Sequence, residues 1–415
     1  MSSNAQTYYQ DLPETPPGDE GADTPSDENL HFGRAWHRYR YCYRRADGLR
    51  VLDAGCGAGL ASLDAARLNP GATVLGVDAS PNAVGQARRR AALAGTSGVS
   101  FEVHDPSEPF PTAWGRFDFV ICRGVLGRAL EPAQVLTRLA GALAPGGLML
   151  VSMPSRGGRP AARALRRAID TLAPPDAPMA DRVNLGLDLA RSLRPEHPIH
   201  DRPADSAPAD PTALVFDALS EGHDWSLPAA EALLEDAGLA LLYAATPWPW
   251  RGDRVFQSDT PEGLTGALGR LDPAPLSRLV DALDPTALGP EYVLYARRTS
   301  ETPDVPDWTR IPGGAPEEID GLVPHRTGLA SVAEPRREGR TAVRFISGAF
   351  GEIDRVAEAR LALVDGRTTC GEIDRSLVAS TRACDDAKSL RRCWRNLADN
   401  GIILLEPTAA PAVRD

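Results

Sequence analysis

Two carboxylates and three glycines lie close together near the start of the chain, in Val51-Leu52-Asp53-Ala54-Gly55-Cys56-Gly57-Ala58-Gly59-Leu60 and then Asp78. An apolar run that reads as a buried strand passes through the glycines into a helix, and glycines there let the backbone turn tightly and a ligand approach the helix N-terminus. Their spacing departs from the G-x-G-x-x-G register of a dinucleotide diphosphate cradle. Asp53 precedes the first glycine by two residues, at the top of the first strand, and is expected to face the ligand. A carboxylate there repels a diphosphate and attracts a cation, by ~1 kcal/mol for unit charges at 4 Å in water and by more in a drier site. Asp78 ends a second strand nineteen residues after Gly59, the place from which a carboxylate accepts both hydrogen bonds of a ribose diol. Together these residues describe an adenosine ligand that carries positive charge in place of phosphate.

The elements that must position them follow from the alternation of short apolar runs with helical patterns after Leu49, which predicts a mostly parallel sheet flanked by helices. Strands are expected over 50–53, 73–78, 99–104, 117–122 and 148–153, with helices over 61–68, 81–94 and 132–143. After Pro154 the alternation stops, and residues 155–227 read as a helical cap insertion with helices over 161–172 and 179–193. Helix 228–237 and strands 239–245 and 291–297 then complete a seven-stranded, doubly wound, mostly parallel sheet, so that 31–299 form one catalytic domain. Gly146-Gly147 reads as a helix stop and turn, and Asp118 as a structural residue at a strand entrance.

Two Pro-rich and Gly-rich stretches bound this domain. Residues 1–30 read as an acidic arm, disordered over 11–30, because few apolar side chains are present to offset its ordering entropy. Residues 300–340, with six prolines (Pro303, Pro306, Pro312, Pro316, Pro324 and Pro335) and Gly313-Gly314, read as a linker to a C-terminal unit, 341–415. There helices around 370–379 and 385–398 precede a short strand 402–405, which suggests a winged-helix-like domain.

Composition excludes several classes. The net charge is -11 over 415 residues, and seven of the negative charges precede residue 31, leaving a nearly neutral body with no electrostatic footprint for nucleic acid. No apolar stretch approaches the ~20 residues of a spanning helix, and Met1 to Gln10 show no basic start followed by an apolar run, so the chain is expected in the cytoplasm. Six scattered cysteines without a Cys-x-x-Cys pair suggest neither a disulfide framework nor a zinc site.

In its motifs the chain resembles the class I S-adenosylmethionine-dependent methyltransferases. The matching residues are Asp53 to Gly59, Gly76-Val77-Asp78-Ala79-Ser80, His104-Asp105, Phe117-Asp118-Phe119-Val120 and Leu143 to Gly147. The resemblance implies S-adenosyl-L-methionine as cofactor, with Asp53 and the backbone of Gly55, Cys56, Gly57 and Gly59 at its methionine end. It places Asp78 and Ala79 at the ribose and Asp105 near the adenine amino group, and has Arg123 and Gly124 line the methyl-transfer pocket.

After the fourth strand the chain reads Cys122-Arg123-Gly124-Val125-Leu126, without the Asn/Asp-Pro-Pro-Tyr-like element of relatives that act on nucleic-acid bases. A small metabolite or a peptide or protein side chain, methylated on oxygen or nitrogen, is the expected acceptor. His197, His200 and His223 are weak candidates for a general base, the last beside Asp224. A cofactor-sensing protein on the same fold is the competing reading, since Asp53, Asp78 and the glycines serve both. The C-terminal unit weakly resembles winged-helix peptide-binding domains of ribosomal-peptide maturation systems, through Leu363 to Thr368, Gly371-Glu372-Ile373 and Asn400 to Leu404. Its eleven basic and eleven acidic residues over 341–415 argue against DNA binding. Regulation, substrate presentation and formation of a homodimer through this unit are the roles open to it.

Overall fold

The computed structural model describes residues 28–33, 48–174, 176–194, 222–245, 273–286, 288–300, 319–327, 330–335, 340–345, 350–381 and 402–407, with isolated positions between them. The strands β1 (Arg50–Ala54), β2 (Thr73–Asp78), β3 (Val99–Val103), β4 (Phe117–Cys122), β5 (Leu143–Pro154), β6 (Leu239–Ala245) and β7 (Glu291–Arg298) form one sheet. Its order is β3-β2-β1-β4-β5-β7-β6. Strands β1 to β5 are parallel, and β7 is antiparallel to both of its neighbours. The expected doubly wound, seven-stranded sheet is the one observed. The chain walks outward from β1 to β3 and then returns to β4 on the other side of β1, and this reversal opens a crevice at the C-terminal ends of β1 and β4.

The period-2 alternation of the strands sorts their side chains onto two cores. Leu52, Val120 and Met149 face one side with Leu136 and Leu139 of α3 (Pro132–Ala142), whereas Val51, Phe119 and Leu148 face the other with Ala65 and Leu68 of α1 (Leu60–Leu68). Helix α2 (Pro81–Ala94) starts where its sequence says it should: the Ser80 hydroxyl accepts the Ala83 N–H at 3.2 Å, Pro81 sits at the first turn, and Gly95 closes the end at φ 60°.

Three boundaries differ from expectation. Strand β5 begins at Leu143, so Gly146-Gly147 lie inside it rather than forming a turn before it. The β4–β5 pairing jumps there from Phe117↔Leu143 to Phe119↔Leu148, and Gly146 takes the left-handed conformation, φ 70°, that such a bulge uses. The acidic arm ends earlier than residue 30: Leu30 and Phe32 are 1% and 0% exposed in the core on the α1 side. Asn69 clamps them, accepting the Phe32 N–H and donating to the Leu30 carbonyl, both at 2.7 Å, and the Tyr295 hydroxyl donates to the Asn29 carbonyl at 2.5 Å. An anchor of so few residues, flanked by polar sequence, carries too short an apolar pattern to stand out.

The third difference lies in 300–340, expected as a linker. It contains β8 (Leu322–Arg326) and β9 (Ala330–Pro335), followed by β10 (Arg340–Phe345), β11 (Phe350–Asp354), α8 (Arg355–Ala362), α9 (Cys370–Thr381) and β12 (Ile403–Pro407). These strands form a three-stranded sheet β11-β10-β9 and a two-stranded sheet β12-β8, all antiparallel. Pro324 and Pro335 had signalled a linker, but they sit in a two-stranded sheet and at the end of an edge strand, the places a sheet tolerates proline. The unit therefore has four strands more than the helices and one small strand expected of it.

The stretch expected as a cap contains α4 (Pro160–Leu172) and α5 (Met179–Ser192), packed on each other through Leu165 and Ile169 and tied by an Asp170–Arg182 ion pair. Helices α6 (Leu227–Asp236) and α7 (Pro273–Leu283) return the chain to β6 and β7. The aromatic-basic run 35–45, most of 195–211, and Trp248 and Trp250 lie outside the described residues. Among the described residues no helix is long and apolar enough to cross a membrane.

Candidate functional site

At the crevice the three glycines of the loop divide into two kinds. A Cβ on Gly55 would lie 2.1 Å from Val125 Cγ2, and one on Gly59 would lie 2.7 Å from Ala87 Cβ and 3.0 Å from the Phe101 ring. These two glycines serve the protein's own packing: Gly55 admits the segment after β4, and Gly59 admits α2 and β3. Gly57 differs, because a Cβ there would meet nothing within 4 Å although the residue holds φ 52°. Its open face is where a ligand can lie against backbone. Helix α1 begins at Gly59 with no side-chain cap, so its first turn offers its N–H groups to the same space.

Asp78 anchors this loop. Its Oδ2 accepts the Gly57 N–H and its Oδ1 the Ser80 N–H, each at 2.9 Å. A carboxylate has about four lone-pair sites, so two remain for a diol. Ala79 beside it is exposed. Asp105, past the end of β3, is exposed and held by the Ser107 N–H at 2.9 Å and hydroxyl at 2.7 Å. Cys56 is committed to the protein: its side chain packs with Val84, Ala87 and Phe101, burial pushes its thiol up, its N–H donates to the Val77 carbonyl at 2.9 Å and its carbonyl accepts the Gly59 N–H at 2.9 Å.

Asp53 corrects an expectation. It does not stand open to a ligand but is 1% exposed beneath the loop, where its Oδ2 accepts the Ser62 hydroxyl at 2.5 Å. Burial raises its carboxyl to about 6, against the opposing pull of Ser62 and of the Arg123 charge, with Asp78 adding a smaller push upward. Arg123, half-buried at the end of β4, thus lies within electrostatic reach of Asp53. Ser62, with Gly76 opposite it in β2, was missed from the sequence. The available signal was a glycine in mid-strand, which marks a close approach: a Cβ on Gly76 would stand 2.8 Å from Ser62 Oγ and 2.6 Å from the Phe101 ring.

The opposite wall is built from three segments laced together. Gly124 N–H donates to the buried Ser152 hydroxyl at 3.0 Å, fixing the turn after β4 to β5. His223 N–H donates to the Gly127 carbonyl at 2.8 Å, Trp225 N–H to the Pro154 carbonyl at 3.0 Å, and Arg156 N–H to the Trp225 carbonyl at 2.8 Å. Residues 222–225 therefore strap the ends of β4 and β5. The His223 ring is exposed and stacked on Trp225 at 5.6 Å. Its neighbour Asp224 accepts from Arg156 Nε at 2.9 Å rather than from the imidazole. Of the other candidate bases, His197 is exposed in the cap past α5, and His200 lies outside the described residues.

Comparison with known proteins bears on the family and the fold. The methyltransferase-domain family profile matches residues 45–174. An uncharacterized protein of Synechococcus sp. is 28% identical over 274 residues, 62% of this chain and 64% of that protein, so the chain spans less than two thirds of that relative. The ubiquinone biosynthesis O-methyltransferase of Methylocella silvestris is 36% identical over 193 residues, 46% of this chain and 70% of that protein. Among solved structures, PKMT2 of Rickettsia typhi shares the fold, with a TM-score of 0.60 at 12% identity over 92% of this chain and 77% of that one. A second structure of PKMT2, in complex with AdoHcy, also gives a TM-score of 0.60.

Proposed function

The chain belongs to the S-adenosylmethionine-dependent methyltransferases, and from that premise we propose that it methylates an oxygen or nitrogen of a small metabolite or of a peptide or protein side chain, oxygen being favoured. The 36% identical relative that is named an O-methyltransferase supports oxygen. The observation that carries the reading is the convergence of the open face of Gly57, the anchored carboxylate of Asp78 and the buried carboxylate of Asp53 at the reversal between β1 and β4.

These residues fit the cofactor. Gly57 leaves a space that any Cβ would invade, Asp78 would receive the ribose hydroxyls, Ala79 would lie beside them, and Asp105 would lie toward the adenine amino group. The backbone of Gly55, Cys56, Gly57 and Gly59, with Asp53 beneath it, would hold the methionine end, and Arg123 would close the pocket beside it. When bound, S-adenosylmethionine supplies a methyl group already activated on a sulfonium, so the protein's task is alignment and exclusion of water. Val125 against Gly55 and the Gly124–Ser152 hydrogen bond set the acceptor wall at a fixed distance from the glycine loop. His223 is the candidate base placed on that wall, and we assign it the acceptor's proton. Because Asp224 is engaged by Arg156, His223 acts without a carboxylate to orient it. The C-terminal unit, winged-helix-like by its motifs, is assigned substrate presentation or the joining of two copies.

The test is calorimetric titration with S-adenosylmethionine, S-adenosylhomocysteine and NAD in parallel, followed by measurement of S-adenosylhomocysteine release with hydroxylated, amine and peptide acceptors. Release with a hydroxylated acceptor supports the reading. Binding of S-adenosylmethionine without turnover on any acceptor class favours a cofactor sensor, and binding of NAD alone removes the cofactor assignment.

A further inference from the structure

We propose that Ser62 is a positioning residue for cofactor binding: its hydroxyl holds the buried Asp53 carboxylate in one orientation and in its ionised form, so that the cationic end of the cofactor meets a negative charge. The proposal rests on the methyltransferase reading and goes beyond it by assigning a role to a residue outside the glycine loop.

The geometry is specific. Ser62 is 0% exposed and Asp53 1%, so bulk water solvates neither group. The hydroxyl donates at 2.5 Å, in the range of short, charge-assisted O–H···O⁻ bonds. Position 62 lies in the first turn of α1, whose start is set by Gly59, so a serine there reaches back to the end of β1. The contact also fixes the residue opposite, since any side chain at Gly76 would press on the Ser62 oxygen and on Phe101. Asp53, Ser62 and Gly76 are therefore one unit spread over β1, α1 and β2.

A buried carboxylate is pushed toward its neutral form, which cannot attract a cation. The groups facing Asp53 are Ser62 from α1, Arg123 beyond β4, Asp78 from β2, and the Cys56 and Cys122 thiols, which are themselves held neutral by burial. Ser62 and Arg123 favour the charge, while burial and Asp78 oppose it. Arg123 acts through space from a half-buried position; Ser62 is the direct contact. Removing it leaves the carboxylate in the same dry place with less support.

The experiment uses the full chain with Ser62→Ala, Asp53→Asn and the double variant. The Asp53 carboxyl is first titrated by carbon-13 NMR in cofactor-free protein, where Ser62→Ala is expected to move its midpoint up by about one pH unit from that of the parent. S-adenosylmethionine affinity is then measured from pH 6 to pH 9. With the parent carboxyl near 6, Ser62→Ala should weaken binding about fivefold at pH 6 and about twofold at pH 7, with full recovery by pH 9, and should leave affinity at pH 6 essentially unchanged in the Asp53→Asn background. An unmoved NMR midpoint overturns the proposal, as does a loss of affinity that is equal at every pH or persists in the Asp53→Asn background, which would make Ser62 a packing residue only. The NMR titration needs no cofactor. A protein that binds no S-adenosylmethionine but shows the shifted midpoint would therefore refute the methyltransferase reading while leaving the Ser62–Asp53 contact established.

Discussion

Among the described residues two aspartates are buried, one under the glycine loop and one in the C-terminal unit, and they are compensated in opposite ways. Asp374 meets the buried Arg360 as an ion pair at 2.8 Å, off the hydrogen-bonding direction, and its other oxygen accepts the Trp394 indole N–H at 3.1 Å. The Arg360 guanidinium in turn lies over the Trp394 ring at 5.9 Å. Asp53 has one neutral hydroxyl and a more distant arginine. Burial raises both carboxyls, but in Asp374 a full positive charge opposes it directly. Asp374 thus has its counter-charge in contact, although its Oδ1 and Arg360 Nε make no hydrogen bond, whereas Asp53 has only the through-space pull of Arg123. On the proposed reading, the cationic end of the cofactor supplies what Asp53 lacks.

The largest effect should come from breaking the close ion pair. Arg360→Met leaves Asp374 buried without its cation, and the unfolding free energy of the full chain is expected to fall by about 3–5 kcal/mol in denaturant titration, with S-adenosylmethionine affinity unchanged. If both fell together, the two sites would be coupled and the contrast would fail. At Asp53 the opposite sign is expected. Its folded value of about 6 lies above the ordinary 3.8, so the native state holds the proton more tightly, and the associated stability is present below pH 4 and is lost as pH rises through 6. Asp53→Asn escapes that loss. It should be more stable than the parent at pH 7.5 by up to about 3 kcal/mol, with little advantage at pH 4, while binding the cofactor more weakly. Equal pH profiles of melting temperature for the two proteins would contradict the buried, under-compensated carboxylate.

Asp78→Ala tests the neighbouring carboxylate, which is already anchored by two N–H groups, and is expected to weaken cofactor binding by ~1–3 kcal/mol through lost charged-acceptor hydrogen bonds and a loosened Gly57. Unchanged affinity in the folded variant would move the ribose elsewhere. The smallest effect is expected across the crevice, where His223→Gln should lower kcat about tenfold, ~1.4 kcal/mol, with KM and cofactor affinity retained. A flat response over pH 6–9 would assign proton removal to solvent.

Much of the cofactor side was legible before the structure, because it depends on local rules. A buried parallel strand reads as an apolar run, a tight turn demands glycine, and Ser80-Pro81 announces a helix start, so the loop, and nineteen residues on Asp78 with the α2 boundary beside it, are each marked by a short local pattern. Other features join distant segments. The anchor of Leu30 and Phe32 under Asn69 and Tyr295, the strap of 222–225 across the ends of β4 and β5, and β8 paired with β12 each link residues too far apart for any periodicity to register.

By itself the sequence determined the sheet class, the glycine loop with its two carboxylates, and through them the kind of cofactor. Only the tertiary structure decided what each of those residues does: which glycine admits the protein's own side chains and which faces open space, and whether Asp53 stands exposed or lies under the loop. It also placed His223 against the ends of β4 and β5. The reason is that residue type and spacing set backbone geometry within an element, whereas burial, counter-charge and free space are properties of what packs against it from elsewhere in the chain. Ser62 and Gly76 had no visible role until α1 was laid across β1 and β2.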